Sequence, residues 1–355
     1  MLHVHLAAPG ELGPAEISAW RSMQRASPPL ANPFLSPEFA LAVGRFRPDT
    51  RVAVLSDGTS STGFFPFQRG RLGSGAPLLS WPGTLWQGLV HAPGAQWDPR
   101  ELLHKCQLSV WRFDHLVAEQ GPFAPYQAGL AASPVIDLTD GFAAYDAKLR
   151  TRAARFCRDI DRRLRNLARD VGPVRFEGDA RDVTLLHTLM AWKSEQYRQM
   201  GVIDRFDRAW FVGLLEALLA TRTGHVSGLL SATYAGDQPV AAQFGLRCGD
   251  TLAGWFTAYD PQFARHSPGL IQFMQMAEHL AACGVRTIDM GEGAAGYKEK
   301  LKSHDGYVAH GMVTSGSVLA AAHRARSVSV DFATQAVLRS PRFYRATRRV
   351  RSILR

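Results

Sequence analysis

The sequence predicts an α+β fold in which a mixed, largely antiparallel sheet is flanked by helices. Three observations predict it. Val226–Tyr234, Pro239–Arg247 and Thr251–Ala258 are apolar runs separated by Gly236-Asp237 and Gly249-Asp250, the turn chemistry of a three-stranded meander. Gly269–Cys283 is an amphipathic segment that opens on Pro268-Gly269 and stops at Gly284, a helix C-terminal glycine. Strand-like Val285–Met290, a short helix at Tyr297 and strand-like Tyr307–Thr314 complete the order.

Upstream, the chain to about Asp140 is rich in Pro, Gly and aromatic residues. Strands are expected at Arg51–Leu55, Gly63–Gln68 and Trp111–Val117. A helix is expected to start at Asp98-Pro99, where Asp caps and Pro takes the first helical position. From Phe142 to Arg169, Leu149, Phe156, Ile160, Leu164 and Leu167 recur at threes and fours among arginines, the period of a helix that stops at Gly172-Pro173. A short strand (Val174–Glu177) and helices over Asp182–Met200 and about Arg208–Thr221 lead into the meander.

The 355 residues suffice for two domains, and the 46% hydrophobic content supports well-formed cores. The net charge of +10 is concentrated. Gly141–Asp170 holds nine Lys/Arg against four Asp/Glu, and Ala322–Arg355 holds nine Arg against Asp331 alone, so the remainder is slightly acidic. That distribution excludes a generally basic nucleic-acid-binding fold and favours local contacts with anions. Cys106, Cys157, Cys248 and Cys283 have no paired metal-ligand spacing and read as reduced thiols; no metal is expected. The N-terminus lacks the features of a signal peptide and no apolar run approaches a bilayer span, so a cytoplasmic protein is expected.

The order strand–strand–strand–helix–strand–helix–strand, with Pro239-Val-Ala-Ala-Gln-Phe244, Trp255-Phe-Thr-Ala-Tyr-Asp-Pro-Gln-Phe263, Ser267-Pro-Gly269-Leu, Ile288-Asp-Met-Gly-Glu-Gly293 and Tyr297-Lys298, resembles the GNAT acyltransferase superfamily. Trp192-Lys-Ser-Glu-Gln-Tyr197 is similar to its CelD/BcsL-like branch, which is related to the FemAB-type ligases. The match covers about residues 175–315. It implies a tandem GNAT-like fold: a degenerate copy over 1–140, a basic helical connector over 141–172, a complete acyltransferase copy over 173–316 and a basic tail over 317–355. The activity implied is transfer of an acetyl or other acyl group from acyl-CoA to an amine or hydroxyl, on a small molecule or a glycan of polysaccharide or cell-envelope biosynthesis. A Fem-like use of aminoacyl-tRNA and a non-catalytic, glycan- or membrane-binding member are the alternatives.

The residues carry this as follows. Arg265, His266, Ser267, Gly269 and Leu270 open a helix after a strand, where amide N–H groups and the helix dipole favour a phosphate; the plain alternative is a capped polar loop. The family loop has a glycine where this chain has Pro268, which lacks an N–H. The resemblance makes the backbone at Phe256 and Thr257 the polarising donor for a thioester carbonyl. It makes Tyr297 the acid that protonates the departing thiolate, unless Tyr297 only packs. Glu292, on a glycine-flanked loop, and Asp289, at a strand end, are the candidate bases, Asp289 also suiting a capping or ion-pair role. Trp192, Lys193, Gln196 and Tyr197 on one helix, Gln243 and Trp255 on central strands, and Lys298 are expected to line the acceptor pocket or, for the aromatics and Gln243, to be core. The arginines of 150–169 are expected to pair with Asp159 and Asp161. The tail, with Arg342, Arg345, Arg348, Arg349, Arg351 and Arg355 beside Phe343, Tyr344, Val350, Ile353 and Leu354, suits an anionic membrane surface.

Overall fold

A computed structural model describes residues 3–79, 86–201, 203–293 and 296–315; the expected membrane-binding tail lies outside them. The chain runs β1 (His3–Ala7), α1 (Pro14–Ala26), α2 (Pro37–Phe46), β2 (Thr50–Ser56), β3 (Ser61–Arg69), β4 (Ser74–Ala76), β5 (Val90–His91), α3 (Pro99–Lys105), β6 (Val110–Val117) and β7 (Gln127–Asp137). The long helix α4 (Phe142–Asp170) leads to β8 (Val174–Ala180), α5 (Val183–Met200), α6 (Ala209–Ala220), β9 (Val226–Ala235), β10 (Gln238–Cys248), β11 (Thr251–Tyr259), α7 (Pro268–Ala282), β12 (Thr287–Asp289), α8 (Gly296–Leu301) and β13 (His304–Thr314). The mixed sheet flanked by helices agrees with the expectation, and each half repeats the same order. Apart from the two-residue β5 of the first half and the short α8 of the second, a strand, two helices and three strands are followed by a helix, a strand parallel to its neighbour (β6 on β4, β12 on β11) and a last strand.

The halves are joined through those last strands. The sheet order is β1-β2-β3-β4-β6-β13-β7-β12-β11-β10-β9-β8. Thus β13, from the second half, lies antiparallel to β6 and β7 of the first, while β7 lies antiparallel to β12 of the second. Each half lends its final strand to the other, and one sheet results. The core is shared in the same way. Trp255 makes edge contacts with Phe34 and Phe39 from the first half at 5.0 and 6.0 Å, and with Phe211 of α6 at 5.9 Å. Burial of such rings, about 1.5–3 kcal/mol each, therefore stabilises both halves at once.

Helix α4 is not straight: Ala153 leaves helical angles at φ −139°, ψ 42°. Just before it, Thr151 Oγ1 donates to Ala147 O at 2.9 Å, a back-bond of the kind that bends helices. Beyond the bend the helix packs on α7. Its arginines pair as expected: Arg150 with Asp161 at 2.8 Å, Arg163 with Asp159 at 2.7 Å, and Arg162 with Asp159.

Candidate active site

The site begins where β11 and β12 part. They pair only at Thr251–Thr287, Leu252–Ile288 and Ala253–Asp289, after which β11 runs on to Tyr259 paired with β10 but not with β12. Two local causes separate them. The Met290 N–H turns to Pro134 O of β7 at 3.0 Å, and Gly291 follows with φ 75°, a conformation that favours glycine. On β11 the register against β10 skips Trp255, which stands opposite no residue. This bulge lets Trp255 and Phe256 stack at 4.9 Å in the aromatic core. Gly254 leaves little room at the fork: a Cβ there would lie 2.9 Å from Gln243 Nε2 and 3.3 Å from Asp289 O, so Gln243 would have to move.

Asp289, buried at the end of β12, is fully engaged. Its Oδ1 accepts from Ser133 Oγ at 2.6 Å and from Gly291 N–H at 2.9 Å, and its Oδ2 accepts from Trp86 Nε1. Glu292, next along, meets a buried histidine from the first half: His115 Nε2 lies 2.8 Å from Glu292 Oε2, and His115 Nδ1 lies 3.1 Å from Asp114 Oδ1. Gln87 accepts the backbone N–H groups of Asp114 and His115 at 3.0 and 3.1 Å, and its Nε2 donates to Asp114. Burial alone would push the His115 imidazole down, but the hydrogen bonds and charges of Asp114 and Glu292 outweigh it and raise its pKa to about 9. The same His115 bond holds Glu292 below the usual carboxylate range.

His115 therefore makes stability fall with rising pH. Its folded pKa is about 9 against 6.5 for the free side chain, so its contribution is complete below 6.5 and is lost as pH climbs through 9. Across that window the expected loss is on the order of 3 kcal/mol relative to His115→Gln, because each tenfold gain in proton affinity on folding is worth about 1.4 kcal/mol. Urea unfolding of both proteins at either end of the window measures it; parallel pH dependences would refute the His115 assignment.

Two lysines face the fork from opposite sides. Lys193 of α5 donates to Thr257 O of β11 at 3.2 Å and to Gln196 Oε1 at 3.3 Å, and lies 5.4 Å from the Tyr197 ring centre. Lys298 of α8 donates to Gly291 O at 2.9 Å and Glu292 O at 3.1 Å on the departing strand. Burial lowers the pKa of both, that of Lys193 to about 8 with a further push from Lys298. Tyr297, half-buried, sits against Phe273 of α7 at 5.4 Å, and burial raises its phenol. Tyr197 stacks on Phe206 and is pushed up to about 12 by burial. Burial lowers the pKa of Arg205, in the loop between α5 and α6, while the charges of Tyr197 and Asp114 oppose that shift.

A second cluster forms at the start of α7. Ser267 takes a left-handed conformation (φ 48°), and its Oγ accepts from Arg163 Nη1 of α4 at 2.8 Å; the same nitrogen donates to Arg265 O at 2.8 Å. Arg265 Nε donates to buried His266 at 2.9 Å and its Nη2 lies 3.4 Å from Asp170. Burial, then the charge of Arg265, lowers the His266 pKa. Leu270 N–H turns back to Ser267 O at 3.0 Å, and Gly269 lies against Tyr259.

The fork thus gathers Lys193, Gln196, Tyr197, Thr257, Asp289, Glu292 and Lys298. Trp192, Trp255 and Phe256 pack with the aromatic core, and Gln243 is buried, accepting from Thr257 Oγ1 at 3.1 Å. Sequence reasoning missed Trp86, Gln87, Asp114, His115 and Ser133. The available signal was Asp114-His115, two consecutive polar residues inside the apolar strand Val110–Val117, which put polar groups on both faces. Among the described residues, no group of His, Cys, Asp or Glu is arranged to hold a metal, and no helix is long and apolar enough to cross a membrane.

A sheet that forks between a meander strand and a parallel strand, built twice with exchanged last strands, defines a tandem GNAT-like fold. Residues 154–299 match the family model described as acetyltransferase (GNAT) domain. Among solved structures, FemX is 11% identical and aligns over 84% of this chain and 95% of its own, with a TM-score of 0.55. A conserved protein of unknown function from Bacteroides thetaiotaomicron is 13% identical over 87% of this chain and 100% of its own, at 0.55. A tandem GNAT protein from the clavulanic acid biosynthesis pathway is 12% identical over 89% and 99%, at 0.50. A search of curated proteins returns no sequence match.

Proposed function

We propose that the protein is an acyltransferase that moves an acetyl or related acyl group from acyl-CoA to an amine or hydroxyl, on a small molecule or glycan of polysaccharide or cell-envelope biosynthesis. The observation that carries this reading is the fork between β11 and β12, with Lys193 on one lip and Lys298 on the other. The fork is a slot suited to an extended acyl-bearing arm. The start of α7 also fits a phosphate, through a modified donor set. Pro268 has no N–H and Leu270 spends its own on Ser267, so the Gly269 amide is left, and Arg163 and Arg265 supply the cationic part. Acyl-CoA supplies the activated acyl group. Lys298, with two N–H groups committed to Gly291 O and Glu292 O, offers its third to the acyl carbonyl oxygen. The β11 backbone at Phe256 and Thr257 borders the same slot, and Tyr297 donates a proton to the departing group. The face formed by Lys193, Gln196 and Tyr197 receives the acceptor.

Calorimetric titration with CoA and acetyl-CoA tests this reading. Saturable binding is expected, weakened about tenfold or more in Arg163→Gln, since a charge-assisted contact contributes roughly 1.5–3 kcal/mol. No detectable binding of either ligand would overturn the CoA donor. One observation favours a second reading, a Fem-like transferase that takes aminoacyl-tRNA: Arg163 covers the loop and Pro268 removes an amide from it. Retention of aminoacyl-tRNA on filters, falling steeply with salt, would then replace CoA binding.

A further inference from the structure

The chain contains six lysines among its 41 basic side chains, and two of the six are at the fork. The choice is chemical, because a guanidinium stays protonated in proteins whereas a desolvated amine gives up its proton. Lys193 Nζ is held from two directions, by Thr257 O at 3.2 Å and Gln196 Oε1 at 3.3 Å. Two of the nitrogen's positions are spent on those acceptors and one remains beside the stretch of β11 that has left β12. Neither nearby carboxylate is suited to taking a proton. Asp289 accepts from Ser133, Trp86 and Gly291, and Glu292 is bound to His115.

We propose that Lys193 Nζ is the proton acceptor for the incoming nucleophile, an inference that rests on the acyltransferase reading above. As the acceptor's nitrogen or oxygen bonds to the acyl carbon, its proton passes to Lys193 Nζ. The bond from the acyl carbon to the donor's sulfur breaks, and the thiolate takes that electron pair and a proton from Tyr297. Lys193 then releases its proton to solvent, and Tyr297 regains one from solvent. The amine form is accessible near neutrality because burial, then the charge of Lys298, brings the pKa to about 8. Few other charges reach it. Tyr197 lies beneath it on α5, with Asp204 and Arg205 acting on Tyr197 from beyond; β10 and β11 contribute uncharged Gln243 and Thr257; Glu216 of α6 is bonded to His187 at 2.6 Å.

The test follows release of CoA thiol from acetyl-CoA, with hydroxylamine as acceptor and an enzyme-free blank at each pH. It is run on the full chain from about pH 6 to 9.5 in wild type, Lys193→Arg and Lys298→Gln. The wild-type rate is expected to rise with pH through an inflection near 8 and to level off above it. Lys193→Arg is expected to lose that limb and about 100-fold or more in rate while still binding acetyl-CoA by calorimetry. Lys298→Gln is expected to move the inflection to higher pH. A parallel 13C titration of labelled lysines in the free protein should show one side chain titrating near 8, absent from Lys193→Arg, with the other resonances in place as evidence of folding. A Lys193→Arg protein that keeps the limb and the rate, or a Lys193 resonance that titrates like a solvent-exposed lysine, overturns the assignment alone. Failure of the wild type to transfer the acetyl group overturns the acyltransferase reading, and the assignment with it.

Discussion

Replacing Asp289 with Ala is expected to lower the unfolding free energy by about 3–5 kcal/mol, read as a shift of the urea midpoint at 25 °C. Asp289 is buried at 3% exposure and accepts three hydrogen bonds, each from a different part of the chain. Trp86 comes from the first half, Ser133 from β7 and Gly291 from the loop that opens the fork. Removing the carboxylate strands two buried donors and the half-buried Trp86 indole, and a buried donor costs more to leave unpaired than a typical bond contributes. Asp289→Asn is expected to fall between wild type and Ala. One amide oxygen still serves Ser133 and Gly291, but the NH2 then faces the Trp86 donor. A loss below about 1 kcal/mol in the Ala variant would mean that water replaces the carboxylate, and that the fork does not depend on it.

Replacing Lys298 with Met is expected to cut kcat by about 10²–10³, with little change in donor affinity, because the contact proposed for it strengthens only as charge develops on the carbonyl oxygen. Methionine keeps the length and apolar stem of the side chain, so packing of α8 is preserved while the donors to Gly291 O and Glu292 O are lost. Some local loosening follows from that loss, and Lys298→Arg separates the two effects. Arginine restores a donor to the loop, but its planar fork cannot place the third N–H as an ammonium does. A rate within about threefold of wild type for Lys298→Met would remove Lys298 from the chemistry.

Much of the second half is legible in sequence because its contacts are local. The meander, α7 with its terminal Gly284, and the motif Asp289-Met-Gly291-Glu292 are each set by residues a few positions apart. The glycine in that motif marks a real break, since Gly291, at φ 75°, closely follows the last β11–β12 pair at Asp289. The first half is harder to read. Helices α1 and α2 begin at Pro14 and Pro37, with Ser36 capping the second, yet the prolines between them give the segment the composition of a loop. Strand β7 (Gln127–Asp137) escapes sequence reasoning because its small residues, Ala128, Gly129, Ala131 and Ala132, carry little strand signal; the neighbours β12 and β13 supply it. The His115–Glu292 pair joins residues far apart in the chain, a relation no spacing rule expresses.

The exchanged last strands also bear on how the chain folds as it is synthesised. When β7 leaves the ribosome, neither of its neighbours exists, and β6 waits on one side for β13, whose partner residues Val308–Thr314 are made nearly two hundred positions later. Until then one edge of β6 and both edges of β7 stand open in the nascent protein, and such edges invite pairing with another chain. Closure by pairing so distant in sequence is slow on entropic grounds. The final eleven-residue strand, His304–Thr314, is therefore the keystone of the first half, and a chain interrupted before it leaves that half with an open sheet.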